Sequence, residues 1–269
     1  MRIITIIEDS CGLPGCKYEH GLSIYIETKK HKLLLDTGAS GSFLENARTL
    51  GIDLAKVDTL ILSHGHYDHA GGIMDFIKIC PDAAIYMQKN ADGDYYHNER
   101  YIGIDKRISD LPQVHKIDGD MAIDDEVSFM ANIRGRRLWP KSNLSLKKRV
   151  NGADIQDEFE HEQCLVIKQN NEIVLLSGCA HNGILNILDS FKERYGCLPT
   201  TVISGFHMMK KSGYTDTEIE EIRKTAEELQ QLETVFYTGH CTGQQAFELM
   251  KPIMGEKLRA IHSGTAIIT

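Results

Sequence analysis

Hydrophobic residues follow two rhythms along the chain. The runs RIITII (2–7), LSIYIE (22–27) and KLLLD (32–36) are short, rich in Ile and Leu and bounded by polar residues, which predicts strands; the turn TKKH joins the last two as a hairpin. The period then changes, and Phe43, Leu44, Ala47 and Leu50 share one face of a helix that Gly51 ends. VDTLILS (57–63) reads as a buried strand, followed by a second helix with Ile73, Phe76 and Ile77 inward and Pro81 closing it. Residues 89–160 keep neither rhythm. Polar and rich in Asp, Gly and Lys, they are expected to form an irregular insertion with some strands, framing a pocket.

The last hundred residues are the most regular. CLVIK (164–168) and EIVLLSG (172–178) flank the turn QNN, and TVISG, TVFYTG and RAIHSG read as strands preceded by helices at 183–195, 216–232 and 244–254. Ile219, Ile222, Ala226 and Leu229 give the second of these helices an apolar stripe. The strands end in polar signatures: GCAH (178–181), GFH (205–207), GHC (239–241) and SGT (263–265). In α/β sheets, ligands and catalytic groups gather beyond the carboxyl ends of strands, so histidines far apart in sequence are expected to converge.

The densest chemistry is SHGHYDHAGG (63–72), which leaves the strand 57–63 and places His64, His66, Asp68 and His69 within six positions. His64 and His66 alternate and can face one point; Asp68 and His69, at the start of the next helix, turn towards a neighbouring point. That spacing serves two metal ions. Gly65 is expected to relax the backbone between the first two ligands, and Gly71 and Gly72 to let the helix start close to the ions. A structural zinc site is usually closed by four ligands with thiolates among them, whereas histidine and carboxylate suit open, water-holding sites.

Composition bounds what surrounds this cluster. With 269 residues and 42% hydrophobic positions, the chain is long enough for one α/β domain, taken here as 1–269. Acidic Glu8 and Asp9 interrupt the first apolar run and no stretch reaches membrane-spanning length, so a cytoplasmic protein with no membrane partner is expected. Seven scattered cysteines argue for reduced thiols, and CGLPGC (11–16) reads as a Gly/Pro turn with two thiols or as half of a metal clip. A net charge of −8 makes nucleic acid a poor partner. Against that background RGRRLWPKSNLSLKKR (134–149) carries seven basic residues and no acid, as a solvated loop or as an anion-reading flap around Trp139.

SHGHYDHAGG after an apolar strand, with LLLDTG (33–38) upstream, resembles the metallo-β-lactamase superfamily. EHGLSIYIE (19–27), SGCAHNGILNI (177–187), SGFHM (204–208) and YTGHCTG (237–243) are similar to its dihydropterin–ribofuranosylaminobenzene phosphate synthase branch. The resemblance runs almost end to end, apart from the middle insertion. It implies an αβ/βα four-layer sandwich with a dinuclear centre at its edge. His64 and His66 would hold the first metal, Asp68 and His69 the second, and Asp36 would brace the ligand loop, unless it is an ordinary turn aspartate.

The later ligands depart from the commonest pattern. Strand order alone offers His161, Cys179 and His207, with Cys179 able to give a thiolate to the second metal. The branch's own histidines are His181, His207 and His240, which favours His181 on the first metal, His240 on the second and His207 as proton donor or phosphate contact. His161 is then either a surface histidine or a ligand.

Two adjacent divalent ions, roughly 3.5–4 Å apart in such sites, activate a water as nucleophile and polarise a carbonyl or phosphoryl oxygen. Zinc fits the ligand set, and manganese or iron could occupy it. Oxygen-reducing iron relatives carry a carboxylate where this chain has His66, which favours hydrolysis. Three classes follow: a dinuclear hydrolase of a small anionic ester, phosphodiester, lactone or thioester; a synthase joining a pterin to a phosphoribosyl-aminobenzene; and a nucleic-acid-processing enzyme or a non-catalytic metal-dependent sensor.

Overall fold

A computed structural model describes residues 1–268. Two seven-stranded sheets dominate it. The first contains β1 (Arg2–Ile7), β2 (Ser23–Glu27), β3 (Lys32–Leu35), β4 (Thr59–Ile61), β5 (Ala84–Gln88), β8 (Val114–Ile117) and β18 (Ala266–Ile268), in the order β18-β1-β2-β3-β4-β5-β8. The second contains β9 (Met121–Ala122), β10 (Val127–Ala131), β13 (Gln163–Gln169), β14 (Glu172–Leu176), β15 (Thr201–Ile203), β16 (Val235–Thr238) and β17 (Leu258–Ala260), ordered β17-β16-β15-β14-β13-β10-β9. A small four-stranded sheet, β12-β11-β6-β7, is built from β6 (Asp94–His97), β7 (Arg100–Tyr101), β11 (Leu146–Val150) and β12 (Ala153–Gln156).

The two-residue period of the strands makes the layers. Along β3, Leu33 and Leu35 point between the sheets while Leu34 points outward; along β14, Val174 and Leu176 point in and Leu175 out. The inner faces share one core that includes Ile24, Ile61, Phe129 and Leu165. Outside the first sheet lie α1 (Ser42–Thr49) and α3 (Ile73–Ile79), through Phe43, Ala47, Ile73 and Phe76. Outside the second lie α4 (Ile184–Tyr195), α5 (Asp216–Gln230) and α6 (Gln244–Met254), through Phe191, Ile222, Ala226 and Met250. The result is the expected αβ/βα sandwich. No described helix is long and apolar enough to cross a membrane.

Residues 89–160 differ from the expected insertion. Their strand β8 completes the edge of the first sheet, and β9 and β10 complete the second. Only β6, β7, β11 and β12 stand apart, on a cluster of Tyr95, Ile102, Leu146 and Phe159 with Tyr67 and Trp139 against it. These strands are two to five residues long and interleave charged side chains, too short for the hydrophobic pattern to reveal. Nor does the pattern predict β5 (AIYMQ) and β18 (AII), which carry no charge but are only five and three residues long. A further one-turn helix, α2 (Tyr67–Ala70), separates the 63–66 loop from α3.

At the edge where the β2–β3 turn meets β9–β10, polar contacts tie the sheets together. Thr28 Oγ1 donates to Glu126 (2.7 Å), Lys29 N–H donates to Gln169 Oε1 (2.8 Å), and His31 Nε2 meets Asp124 Oδ2 at 3.0 Å. Burial opposes the charge on His31, but the Asp124 and Asp58 carboxylates raise its pKa above the usual histidine value. A raised folded-state pKa contributes stability that is full below the unfolded-state value and is lost as pH rises through the folded one. His31→Gln is therefore expected to cost more stability at pH 5.5 than at pH 8.5, with a difference of about 0.5–1 kcal/mol for a part-exposed pair. Urea midpoints at the two pH values check it; equal losses would remove the charge from this contact. In the central layer, Leu176→Ala is expected to cost about 2–5 kcal/mol, against less than about 0.5 kcal/mol for exposed Ile155→Ala, measured the same way.

Candidate metal centre

Strands β3, β4 and β5 run parallel in the first sheet and β14, β15, β16 and β17 in the second, so their carboxyl ends share one edge of the sandwich. Asp36 follows β3, residues 63–69 follow β4, Cys179 and His181 follow β14, His207 follows β15 and His240 follows β16. Asp36, Cys179, His64, His66, Asp68, His69, His181 and His240 are all buried, while His207 is half-buried.

Asp36 holds the ligand loop. Its Oδ1 accepts the Ser63 N–H (2.7 Å), and its Oδ2 accepts both the Ser63 hydroxyl (2.6 Å) and His69 Nδ1–H (2.7 Å). Its left-handed backbone, φ 59°, belongs to a set of non-glycine residues at this edge that includes Ala180, His207 and His240, a conformation retained where surrounding contacts enforce it. Gly65 serves a close approach and not a freed backbone: it lacks a positive φ, and a Cβ there would sit 2.1 Å from the Ala91 carbonyl oxygen. Gly71 likewise has Ala39 backbone where a Cβ would go, so it packs loop on loop and does not bring a helix to the ions.

Five groups of donors result among the described residues, and two of them lie side by side at the centre. His64 Nε2 and His181 Nε2 lie 3.3 Å apart, with the His66 ring 4.6 Å and 4.9 Å from theirs. Beside them Asp68, His69, Cys179 and His240 bring their donor atoms within 4.8 Å of one another. His69 Nε2 stands 3.2 Å from His240 Nε2 and 3.3 Å from Cys179 Sγ.

The outer nitrogens decide where the protons are. Asp36 faces His69 Nδ1, Asp9 faces His240 Nδ1 (2.6 Å), and Asn143 Oδ1 faces His181 Nδ1 (2.9 Å). The Ser63 hydroxyl donates to Asp36, so its oxygen is left to accept from His64 Nδ1 (2.9 Å). Each of the four rings is thus held with Nδ1 as donor and Nε2 inward, the tautomer that metal-binding histidines require. Burial and neighbouring imidazoles push the pKa of His64 and His181 well down, and burial and His161 bring His66 to about 3. These rings are neutral at pH 7. Burial would raise the pKa of Asp68, but His69, His240 and His20 lower it. His240 differs: burial works against its charge, yet Asp68 and Asp9 hold its pKa well up. Burial pushes the Cys179 thiol up. Buried neutral imidazoles facing one another, with His66 Nε2 lacking any partner, fit divalent cations.

His161 is not a surface histidine: it is buried, Nδ1 accepts Gly65 N–H (2.9 Å) and Nε2 meets Asp157 (3.1 Å), so it secures the loop, and with His66 and Asp157 it brings donor atoms within 4.8 Å of one another. His207 has its ring 4.1 Å from that of His181 and a buried Nδ1 without a partner. It borders a cleft shared with Trp139, Lys141, Lys210 and Tyr214, so segment 134–149 does reach the site. Five of its seven cations are engaged by acids, however: Arg136 by Glu158, Arg137 by Asp189 and Glu228, Lys141 by Glu221, Lys148 by Glu160 and Arg149 by Asp154. The segment meets the histidines themselves through neutral groups: Asn143 at His181 Nδ1 and the Ser142 hydroxyl at the His207 main-chain oxygen.

Sequence reasoning missed several supporting groups. Glu8 accepts the His240 N–H, Glu162 accepts the N–H of His181 (2.6 Å) and Asn182 (2.9 Å), and half-exposed His20 meets Asp9 (2.8 Å) and Asp68 (3.6 Å). Glu8 and Asp9 follow β1 directly, so the strand-end rule applied to the late histidines would have found them.

The metallo-beta-lactamase superfamily model matches residues 18–131. Over its whole length the chain is similar to Tm1679, a metal-dependent hydrolase of the beta-lactamase superfamily, with 32% identity, a TM-score of 0.85 and coverage of 100% of this chain and 99% of that one. It is also 27% identical to the 7,8-dihydropterin-6-methyl-4-(beta-D-ribofuranosyl)-aminobenzene-5'-phosphate synthase of Methanocaldococcus jannaschii, covering 99% of this chain and 96% of the synthase. The metallo-beta-lactamase fold protein YhfI of Bacillus subtilis, at 14% identity and TM-score 0.57, shares the fold. Its full-length likeness to Tm1679, together with the loop 63–69 and the paired donor groups, makes this chain a member of the metallo-β-lactamase superfamily.

Proposed function

We propose that the chain is a dinuclear metal-dependent hydrolase of a small anionic ester, phosphodiester, lactone or thioester. The observation that carries the reading is the pair of adjacent donor groups whose inward Nε2 atoms are fixed by acceptors behind them. His64, His66 and His181 would hold one ion; Asp68, His69 and His240 would hold the other. Imidazole and carboxylate suit zinc, with manganese or iron as alternatives. Bound there, two divalent ions supply a Lewis acid and an activated water.

The remaining groups have defined tasks. Asp36, Asp9, Asn143 and Ser63 orient the rings and keep their lone pairs available. His207 stands between the histidine cluster and the cleft, where its unpartnered Nδ1 can pass a proton to a leaving group. Trp139 and Tyr214 give the cleft apolar walls, while Lys141 and Lys210 are close to an anion only if they leave Glu221 and Glu218.

The second reading is a synthase that joins a pterin to a phosphoribosyl-aminobenzene. Its support is the full-length similarity to the archaeal synthase. The same centre would then organise anionic groups and assist proton removal, with no water consumed.

Elemental analysis after reconstitution is expected to give two ions per chain; saturation at one, with none lost in His69→Ala, rejects the paired centre. His181→Ala and His240→Ala are each expected to lower metal content. His207→Ala is expected to keep both ions and lose about 10²–10⁴ in kcat, with the limb of the pH profile that reports the proton donor flattened. Loss of an ion from His207→Ala makes His207 a ligand instead. A screen of the metal-loaded protein on phosphodiester, lactone, thioester and pterin substrates separates the two readings, since product formation only from the pterin with its phosphoribosyl partner favours the synthase.

A further inference from the structure

Of the four strand-end signatures in the sequence, the last, SGT (263–265) after β17, contributes no residue to the donor groups among the described residues. It has another partner. The segment 262–265 is stitched to the loop that leaves β1: Ser263 N–H donates to the Ser10 carbonyl (2.9 Å), the N–H groups of Gly12 and Leu13 donate to the Ser263 carbonyl (3.1 and 3.2 Å), and Glu8 N–H donates to Ser263 Oγ (2.9 Å). A Cβ on Gly12 would sit 2.7 Å from His262 Cβ, so glycine lets the two segments lie this close.

Side chains continue this seam inward as one run of hydrogen bonds. Glu8 is buried, and its Oε1 accepts the N–H of His240; a Cβ on Gly239 would stand 2.8 Å from that oxygen, so the carboxylate reaches the main chain past a glycine. Its Oε2 accepts the Ser10 N–H (2.7 Å) and the Ser10 hydroxyl. That hydroxyl has a single proton, and the carboxylate takes it. The 2.6 Å contact between Ser10 Oγ and His262 Nδ1 therefore has the imidazole N–H as donor. His262, Ser10, Glu8 and the His240 main chain are linked in that order.

The inner end of this run bears on a metal donor. His240 has a left-handed backbone, φ 50°, and its ring Nδ1 is held by Asp9. Asp9 sets the direction of the ring, whereas Glu8 sets the backbone on which the ring is mounted. Such a backbone persists in a non-glycine residue only where its surroundings enforce it. The first donor group has separate supports: Ser63 behind His64, and Asn143 and Glu162 at His181.

We propose that His262 is a positioning residue for the second ion, acting through Ser10 and Glu8 on the backbone of His240. The inference rests on the paired centre of the preceding subsection. Its consequence is selective, since weakening this run loosens one ion and leaves the other held. Residues that orient a ligand directly change metal affinity by about 10–100-fold, and at two removes, through one hydrogen bond, about 3–10-fold is expected.

Stepwise binding of cobalt(II) to the metal-free full-length protein is the test, with both dissociation constants measured against a competing chelator and an unfolding midpoint recorded for each variant. His262→Ala is expected to weaken the second ion about 3–10-fold and to leave the first within about 2-fold of wild type. His262→Asn, whose amide can donate to Ser10 Oγ from the place of Nδ1, is expected to restore the affinity. Ser10→Ala is expected to weaken the second ion to a similar extent, and the double variant with His262→Ala to be no weaker than Ser10→Ala alone, because both act along one run of bonds. Wild-type affinity for both ions in His262→Ala overturns the proposal. Equal weakening of the two ions, additive losses in the double variant, or failure of asparagine to rescue overturn it as well, and each leaves the paired centre intact. A wild-type protein that binds one ion only overturns the paired centre and this proposal with it. Should His262→Ala not fold, His262→Leu, which keeps more of the ring's volume, takes its place.

Discussion

Four imidazole rings are packed with their Nε2 atoms converging, and each is prevented from turning away by an acceptor on the opposite nitrogen. This constraint shapes the rest of the centre. Lone pairs that face one another in a buried pocket repel and lack hydrogen bonds, which is costly unless a cation lies between them. Asp36, Asp9, Asn143 and Ser63 enforce the arrangement from outside, and each comes from a different part of the chain. Metal affinity therefore depends on residues that would not touch the metal. The raised pKa of His240 fits the same picture, because two carboxylates hold a proton there where a divalent ion would serve them better.

The fold makes this constraint affordable by separating what stabilises from what reacts. Three apolar layers fill the sandwich, and polar ties around His31, Thr28 and Gln169 join the sheets through the β2–β3 turn. The opposite, carboxyl ends of the parallel strands carry the left-handed residues Asp36, Ala180, His207 and His240. Each of these costs on the order of 1–3 kcal/mol and is held by the strand behind it. A loop free of such support would relax and scatter the donors.

How much of this the sequence reveals depends on the range of the interaction. The layers were legible because alternation in KLLL or EIVLL is local, and so was His64/His66/Asp68/His69, whose ligands occupy six consecutive positions. His181 and His240 were found through motif resemblance and the strand-end rule, and the structure places both within the donor groups. Asn143 lies in a basic segment whose charge dominates its pattern, yet five of those seven charges face neighbouring acids while the one neutral amide reaches His181. Glu8 and Asp9 were read only as breaks in an apolar run. Their partner, His240, lies more than two hundred residues away, and no local pattern announces such a contact. Gly65 shows a subtler gap: composition identified it as special, but the reason, an Ala91 carbonyl in van der Waals reach, exists only in three dimensions.

Under either proposed reading, hydrolase or synthase, the inner donors would do the same work. Two divalent ions can activate a water or draw charge from a bound anion without any change of ligand. The choice would then be made by what the cleft admits beside His207. There Trp139 and Tyr214 offer flat apolar surface, and Lys141 and Lys210 are already neutralised by Glu221 and Glu218. A substrate that is merely anionic would have to break those ion pairs to be held, whereas one with a planar apolar portion is accommodated with the pairs intact. Under either reading, specificity would lie in the walls contributed by residues 138–142 and α5, and reactivity in the strand ends. The two meet at His207, whose main-chain oxygen accepts from Ser142 (2.6 Å) while its ring borders His181. A shift of the 138–142 segment on substrate entry would move the His207 backbone directly and, if His207 is the proton donor proposed above, would couple what the cleft recognises to where the proton is delivered.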